Sequence, residues 1–363
     1  MNYRLATILA EESATTAATK TIDLDVVNPI SRIHIVFKPT NVSPVTAMTG
    51  HPALCLSKVE IVDGSDVLFS ADGMGLRAAA FYGTGEPFAD VLDYNSGSEC
   101  MFEAPIYFGR KLWDPMLALD PTRFKNVQLK ITHNRALGGA APASAKLAVF
   151  ADLFDEKVIS PQGFLMTKEL YSYLPSASAH QYIDLPTDYP YRLIMEGGIS
   201  SGKMPQWRIA KVKLSEDYDR KLPVPETDML YLLQGIVKMY PRIQEHLIII
   251  AFSSGVRVPI TPGYEGFATG SGYGNHQHTI SFGNGGGGDI PAYTAAAEGE
   301  AHWANVGGWC PHNYVLLPTG DKDNIEDFYD PMKLKSLRLD LLADSSPGAS
   351  DAIKVVIQQM RRY

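Results

Sequence analysis

Several stretches of the 363-residue sequence hold residue types that could bind or transform a small molecule, and each lacks a part that its chemistry needs. Gly197-Gly-Ile-Ser-Ser-Gly202-Lys203-Met204 stands one residue from a phosphate-cradling loop, but Met204 replaces the Ser or Thr that would hold Mg²⁺. Pro205 to Val212 then reads as a strand, where the phosphate-binding helix would have to begin. The same stretch contains Gly198-Ile-Ser200-Ser-Gly202, the letters of a nucleophile elbow, whose Ser must sit on a strand-to-helix turn. Gly283-Asn-Gly-Gly-Gly-Gly288 fits a dinucleotide fingerprint merely by being nearly all glycine. His276, His278, His302 and His312 share one region with no Cys or carboxylate at ligand spacing, so they read as hydrogen-bonding loop groups. Asp321, Asp323, Glu326 and Asp330 depart from a Ca²⁺ loop at Ile325 and fit a capped turn instead. Cys55, Cys100 and Cys310 are too few and too far apart for a disulfide framework or a CxxC metal site. No catalytic residue, cofactor or metal set is assigned.

The remaining candidates suit contact better than reaction. From Ser253 to Trp309 the composition turns to Gly, Ala, Ser and aromatics, and Tyr264, Phe267, Tyr273, Trp303 and Trp309 stand within it. Aromatic side chains on adaptable backbone are what interface cores favour. In a rival reading they stack on sugars. A stretch this long with little core pattern is expected as a functional or interface loop.

The elements around it read as strands. In Ser31-Arg-Ile-His-Ile-Val-Phe-Lys38, Ile33, Ile35 and Phe37 share one face, the period of a half-buried strand. Asp63-Gly-Ser-Asp66 between Lys58–Val62 and Val67–Phe69 signals a hairpin, because Gly accepts φ > 0. Further strands are expected over 126–132, 146–151, 192–195, 208–214, 247–252, 336–342 and 353–358. Helices are short, at Leu76–Tyr82 and Glu226–Val237.

The order of elements occurs twice. Ile22-Asp23-Leu24, Pro29 and Arg32 are answered by Ile183-Asp184-Leu185, Pro190 and Arg192, starting 161 positions later (183 − 22). Lys58-Val-Glu-Ile61 is answered by Lys211-Val-Lys-Leu214, 153 positions on (211 − 58). Asp120-Pro121 with Val127–Ile131 returns as Asp330-Pro331 with Leu337–Leu341, 210 positions on (330 − 120), and Ala145–Phe150 returns as Ala352–Ile357. The second copy therefore holds roughly 57 extra residues, where the Gly-rich stretch lies.

Bulk properties narrow the function. A net charge of −8 and a pI near 5.6 disfavour a phosphate-gripping surface, so no sequence-specific nucleic-acid contact is expected. No run approaches the ~20 apolar residues of a membrane span, and Met1–Lys20 lacks the composition of a secretion signal. A soluble protein made in a reducing compartment is expected.

In the Asp63-Gly64 hairpin with its short helix, in Ala118-Leu-Asp-Pro121 feeding Phe124–Ile131, and in their counterparts, the chain resembles the double jelly-roll major capsid proteins of tailless icosahedral DNA viruses, the tectivirus, corticovirus and adenovirus lineage. The resemblance spans about Thr21 to Gln358. It implies an all-β protein of two consecutive eight-stranded antiparallel jelly rolls with short helices: an arm over 1–20, a first roll over 21–163, and a second over 164–363 with the loop 253–309 inserted. It implies a bacteriophage or related virion component rather than an enzyme. Such a chain forms homotrimers of pseudo-hexagonal outline and packs against neighbouring capsomers and minor or vertex proteins, in many relatives above an internal viral membrane. Assembly in the host cytoplasm, and a trimer-sealing tower made of the inserted loop, follow from the same resemblance. Two other readings fit the sandwich pattern: a tandem jelly-roll carbohydrate-binding or glycan-processing protein, and a small structural protein of a tailed phage or secretion machine.

Overall fold

A computed structural model describes residues 1–42, 50–95, 97–139, 142–251, 255–272, 280–282, 285–294 and 300–363. The first half contains β1 (Tyr3–Ser13), β2 (Ala18–Asp23), β3 (Ile30–Asn41), β4 (Leu56–Asp63), β5 (Asp66–Ala71), helix α1 (Gly73–Thr84), β6 (Leu92–Asp93), β7 (Phe102–Tyr107), β8 (Val127–His133) and β9 (Pro142–Phe154). The second begins with β10 (Gly163–Tyr173), β11 (His180–Leu185), β12 (Tyr191–Gly197), β13 (Ile209–Glu216), β14 (Lys221–Asp228) and helix α2 (Met229–Met239). It continues through β15 (Ile243–Ala251), β16 (Val256–Pro259), β17 (Pro262–Gly272), β18 (Ile280–Phe282), β19 (Asp289–Thr294) and β20 (Glu300–Pro311). β21 (Val315–Leu316), β22 (Leu337–Ala343) and β23 (Ile353–Arg362) close it.

The strands pair identically in the two halves. The first lobe has layers β1-β9-β3-β7 and β2-β8-β4-β5; the second has β10-β23-β12-β21 and β11-β22-β13-β14. Each layer thus interleaves early and late strands, the double Greek key of a jelly roll, and pairings between neighbours within each lobe are antiparallel. All four sequence matches fall on equivalent strands: β2 with β11, β4 with β13, β8 with β22, β9 with β23.

Three details differ from the sequence expectation. Tyr3–Ser13, placed in an arm, runs along β9 as the outermost strand of the first lobe. It is an edge strand with a half-exposed face, so its apolar alternation is weak. Glu226–Asp228 end β14, and α2 begins only after Asp228, whose carboxylate accepts the Leu230 N–H at 2.8 Å. The inserted stretch, expected as a functional or interface loop outside the sandwich layers, contains strands among its described residues: β17 and β20 join β15, which precedes the stretch, in one sheet, and β16-β19-β18 form another. Their core includes Leu247, Ile249, Val258, Ile290 and Val306, together with Leu92, Tyr94 and Cys100 from the first half. β6 also joins this sheet, parallel to β15. The insertion, hereafter the tower, is thus folded β structure whose core draws on both halves of the chain.

The lobes are fused in two ways. β5 and β10 pair in parallel at Ser70 and Lys168, which merges one layer from each lobe into an eight-stranded sheet, and one buried apolar cluster extends through both lobes. Helix α1 lies at the junction, buried from Gly73 to Gly83. Its Gly- and Ala-rich sequence lets backbone approach closely on both sides.

Candidate assembly surface

The junction is held by polar groups that few positions in a β sandwich would tolerate. Arg77, fully buried in mid-helix, grips Asp90 with two hydrogen bonds at 3.0 and 2.5 Å. Its Nε donates to His312 Nε2 at 3.0 Å, and its guanidinium lies 3.9 Å from the centre of the Phe88 ring. Close by, Glu245 of β15 accepts from the Thr261 hydroxyl at 2.6 Å and the Thr261 amide at 2.9 Å, while His51 Nε2 lies 3.1 Å from the same hydroxyl. Burial alone would raise the Glu245 carboxyl, but His51 and Thr261 outweigh it and hold it below its ordinary value. Burial keeps His312 neutral, aided by the nearby His51 and Arg77, which suits its role as acceptor.

His51, Asp90 and Glu245 offer ligand atoms within 4.8 Å of one another, so a metal has to be considered. The bonding argues against it. His51 Nδ1 accepts the Ala53 N–H at 3.0 Å, which leaves the proton on Nε2, the nitrogen facing the cluster. Both Asp90 oxygens are engaged by Arg77, whose charge already neutralises them. The cluster is a rivet between α1 and the base of the tower, not a metal centre. Sequence reasoning missed it because its members are scattered from position 51 to 312; a lone Arg within Gly73-Met-Gly-Leu-Arg77-Ala-Ala-Ala was the available signal.

The tower aromatics divide between two places. Tyr264, Phe267 and Trp309 line an open groove of about 660 Å³ at the tower base, with Arg242 and with Leu230 of α2. Arg242 lies 5.6 Å from the Trp309 ring centre and 6.0 Å from that of Phe267. Tyr264 is buried and Phe267 is exposed. Trp303 is exposed on a separate patch beside His246, Thr269 and Asn305. Tyr273 lies outside the described residues, as do His276 and His278.

The other sequence candidates take structural parts. Gly197–Met204 leads into a short 3-10 turn and then β13, with no helix to receive phosphate. Arg208 instead clamps this loop to a neighbouring one, donating to the carbonyls of Gly198, Pro347, Asp351 and Ala352. Gly286, Gly287 and Gly288 lie against it: a Cβ on Gly287 would overlap the Ser200 carbonyl oxygen. In the acidic run, Asp321 accepts the Asp323 N–H and Asp330 the Met332 N–H, so these carboxylates cap turns. His302 sits in β20, and all three cysteines are free and buried.

No family model matches the sequence, and no curated protein matches it. Solved structures do match. The capsid of PBCV-1, in a quasi-atomic model, is 11% identical with a TM-score of 0.58, covering 99% of this chain and 94% of that one. The STIV MCP crystal structure is 11% identical at a TM-score of 0.59, covering 99% and 96%. The major capsid protein P2 from bacteriophage PM2 is 10% identical at 0.53, covering 99% and 98%. Identity this low speaks for architecture, and it does so over nearly the full length of each partner: the chain has the double jelly-roll fold of these capsid proteins.

Proposed function

We propose that the chain is the major building block of an icosahedral virus shell, acting by burial of surface and not by catalysis. Three copies close into a capsomer whose six lobes give a pseudo-hexagonal outline, and capsomers tile the shell. The observation that carries this reading is the equivalence of the two lobes: one topology twice, side by side, rigidly joined by a shared sheet and α1. A trimer of such chains presents six similar edges, which sixfold-like packing requires and a single lobe does not supply. The lobes pair at Lys168 within β10, and the inserted β structure, with the exposed Phe267 and Trp303 and the groove of Tyr264 and Trp309, is the part we assign to contact with neighbouring copies. Neighbouring capsomers and vertex proteins are the partners, and the virion is the location.

Native mass measurement of the purified chain, followed by electron microscopy of assembled material, tests the reading. Trimers and shell-like tiles are expected; a stable monomer, or rings of six or twelve chains, would count against it. A glycan-binding screen separates the carbohydrate reading, because saturable binding in the Trp309 groove would favour it.

A further inference from the structure

The two interhelix environments are unequal, and the inequality identifies a docking face. Helices α1 and α2 occupy the same place in their lobes, each following the fifth strand and each N-capped by an Asp, Asp72 and Asp228. α1 is buried along nearly its whole length because the second lobe covers it. Gly75 faces Val356 and Tyr314, Tyr82 donates to the Tyr314 carbonyl at 2.7 Å, and the Gly83 carbonyl accepts from Arg192 at 2.7 Å. With the helices aligned at their caps, Gly75, Tyr82 and Gly83 correspond to Tyr231, Lys238 and Met239. Those three positions are exposed: Tyr231 by 71% and Met239 by 65%, with Leu230 beside them at 44%. Inward, Met229, Leu232, Leu233 and Ile236 are buried, so Leu230, Tyr231 and Met239 form apolar exposed area on the outer side, beside Gln234 and Lys238.

The surface that covers α1 also has a counterpart. In the second lobe, Thr167 pairs with Gln358 across β10 and β23, Arg192 reaches Gln358 from a register irregularity in β12, and the three line a small cavity with Leu76, Ala79, Ala80 and Gly83. In the first lobe the ladder sets Leu5, Asp152 and Arg32 in one row across β1, β9 and β3. The chemistry is repeated: Arg192 donates to Gln358 at 2.9 Å, and Arg32 donates to Asp152 at 2.8 Å. Thr167 is buried under α1, whereas its counterpart Leu5 is 61% exposed. The single chain therefore sets one helix face against one sheet face; in the equivalent pair, Tyr231, Met239 and Leu5 are exposed, while Arg32 and Asp152 are largely buried and bonded to each other.

We infer that the outer face of α2, at Leu230, Tyr231 and Met239, docks on the Leu5–Asp152–Arg32 row of a second copy of this chain, repeating between chains the contact that α1 makes within one. The inference rests on the trimeric reading and specifies which surfaces close the ring. The contact is head-to-tail, since each copy gives one face and receives on the other, and three copies turn through the ring to use every face. It is made by side chains: Pro223 and Pro225 deprive the outer strand β14 of two N–H groups, so strand pairing like that of β5 with β10 cannot continue along that edge.

The test uses the full chain and native mass at a concentration where the wild type is trimeric. Tyr231→Asp/Met239→Asp and, separately, Leu5→Asp are each expected to give monomers, while Val158→Asp at another exposed site leaves trimers. Mixing the two monomeric variants is expected to give heterodimers only, because each retains one working face. A covalent version guards against misfolding: Leu5→Cys/Met239→Cys treated with a short bis-maleimide should yield linked dimers and closed trimers on a denaturing gel, and neither single variant should form the trimer. Trimers that persist in the Asp variants, or a double-Cys variant that does not cross-link, would overturn the docking assignment alone. A monomeric wild type would overturn the trimeric reading with it.

Discussion

Glu196 is a carboxylate that the fold buries without an ion-pair partner among the described residues. It is 2% exposed on β12, and burial pushes its carboxyl up to about 8, against the opposing pull of Arg208. Arg208 does little to offset this because its donors are taken by four backbone carbonyls. An unfolded glutamic acid titrates near about 4.3, so between roughly pH 4.3 and 8 the folded chain holds a proton that the unfolded chain has released. The stability this group contributes is complete below the lower value and is lost as pH rises through the upper one. Each tenfold change in proton affinity is worth about 1.4 kcal/mol. Glu196→Gln is therefore expected to match the wild type near pH 5 and to exceed it at pH 8, by an amount on the order of a few kcal/mol. Thermal denaturation of both proteins at the two pH values measures this. Parallel melting temperatures would show that the acid does not stay protonated in the fold.

At the scale of elements, the glycine run at 285–288 gives the clearest contrast between sequence and structure. Read as letters, it is low complexity; folded, Gly287 and Gly288 adopt φ of 71° and 86°, and residues 286–288 are pressed against residues 199–204. Gly64, in the β4–β5 hairpin, has a similar φ of 61° but open space around it. Gly64→Ala should lose only the conformational term, roughly 1–2 kcal/mol, while Gly287→Ala must also displace the Ser200 carbonyl and should cost clearly more. Urea denaturation of the two variants compares them directly, and equal losses would mean the tower moves away from that loop at little cost. The same contrast explains what the sequence made legible. Strands such as β4, β8, β13 and β22 alternate Val, Leu and Ile with polar residues, so their period and their repetition were readable. β1 and β10 share few letters, and Gly, Ala and Ser mark no period in β17 or β20, so the first strand and the tower's sheets were not. The tower aromatics could be named because they stand out in a small-residue background. The Arg77 cluster could not, since only the folded topology brings His51, Asp90, Glu245 and His312 together.

At the scale of the whole molecule, the question is whether two lobes behave as one body. Short linkers between independent sandwiches would let each melt separately, but here an eight-stranded sheet crosses the junction, one apolar cluster extends through both lobes, and α1 belongs to both. Lys354 of the second lobe even reaches the carboxylate that caps α1, at 2.7 Å from Asp72. Removing the second lobe would expose the face of α1 that meets Val356, Tyr314 and Arg192, so the first half loses burial when the second melts. Calorimetry of the full chain is expected to show a single transition whose van't Hoff and calorimetric enthalpies agree within each protomer. Arg77→Met sharpens the test. It leaves Asp90 buried without its partner, a loss of about 3–5 kcal/mol, and if the junction couples the lobes the whole transition should shift down intact. Two separated peaks in the variant would mean that the rivet merely joins lobes able to stand alone. A single lowered peak would mean that the joining of the two lobes is built into the fold of one chain.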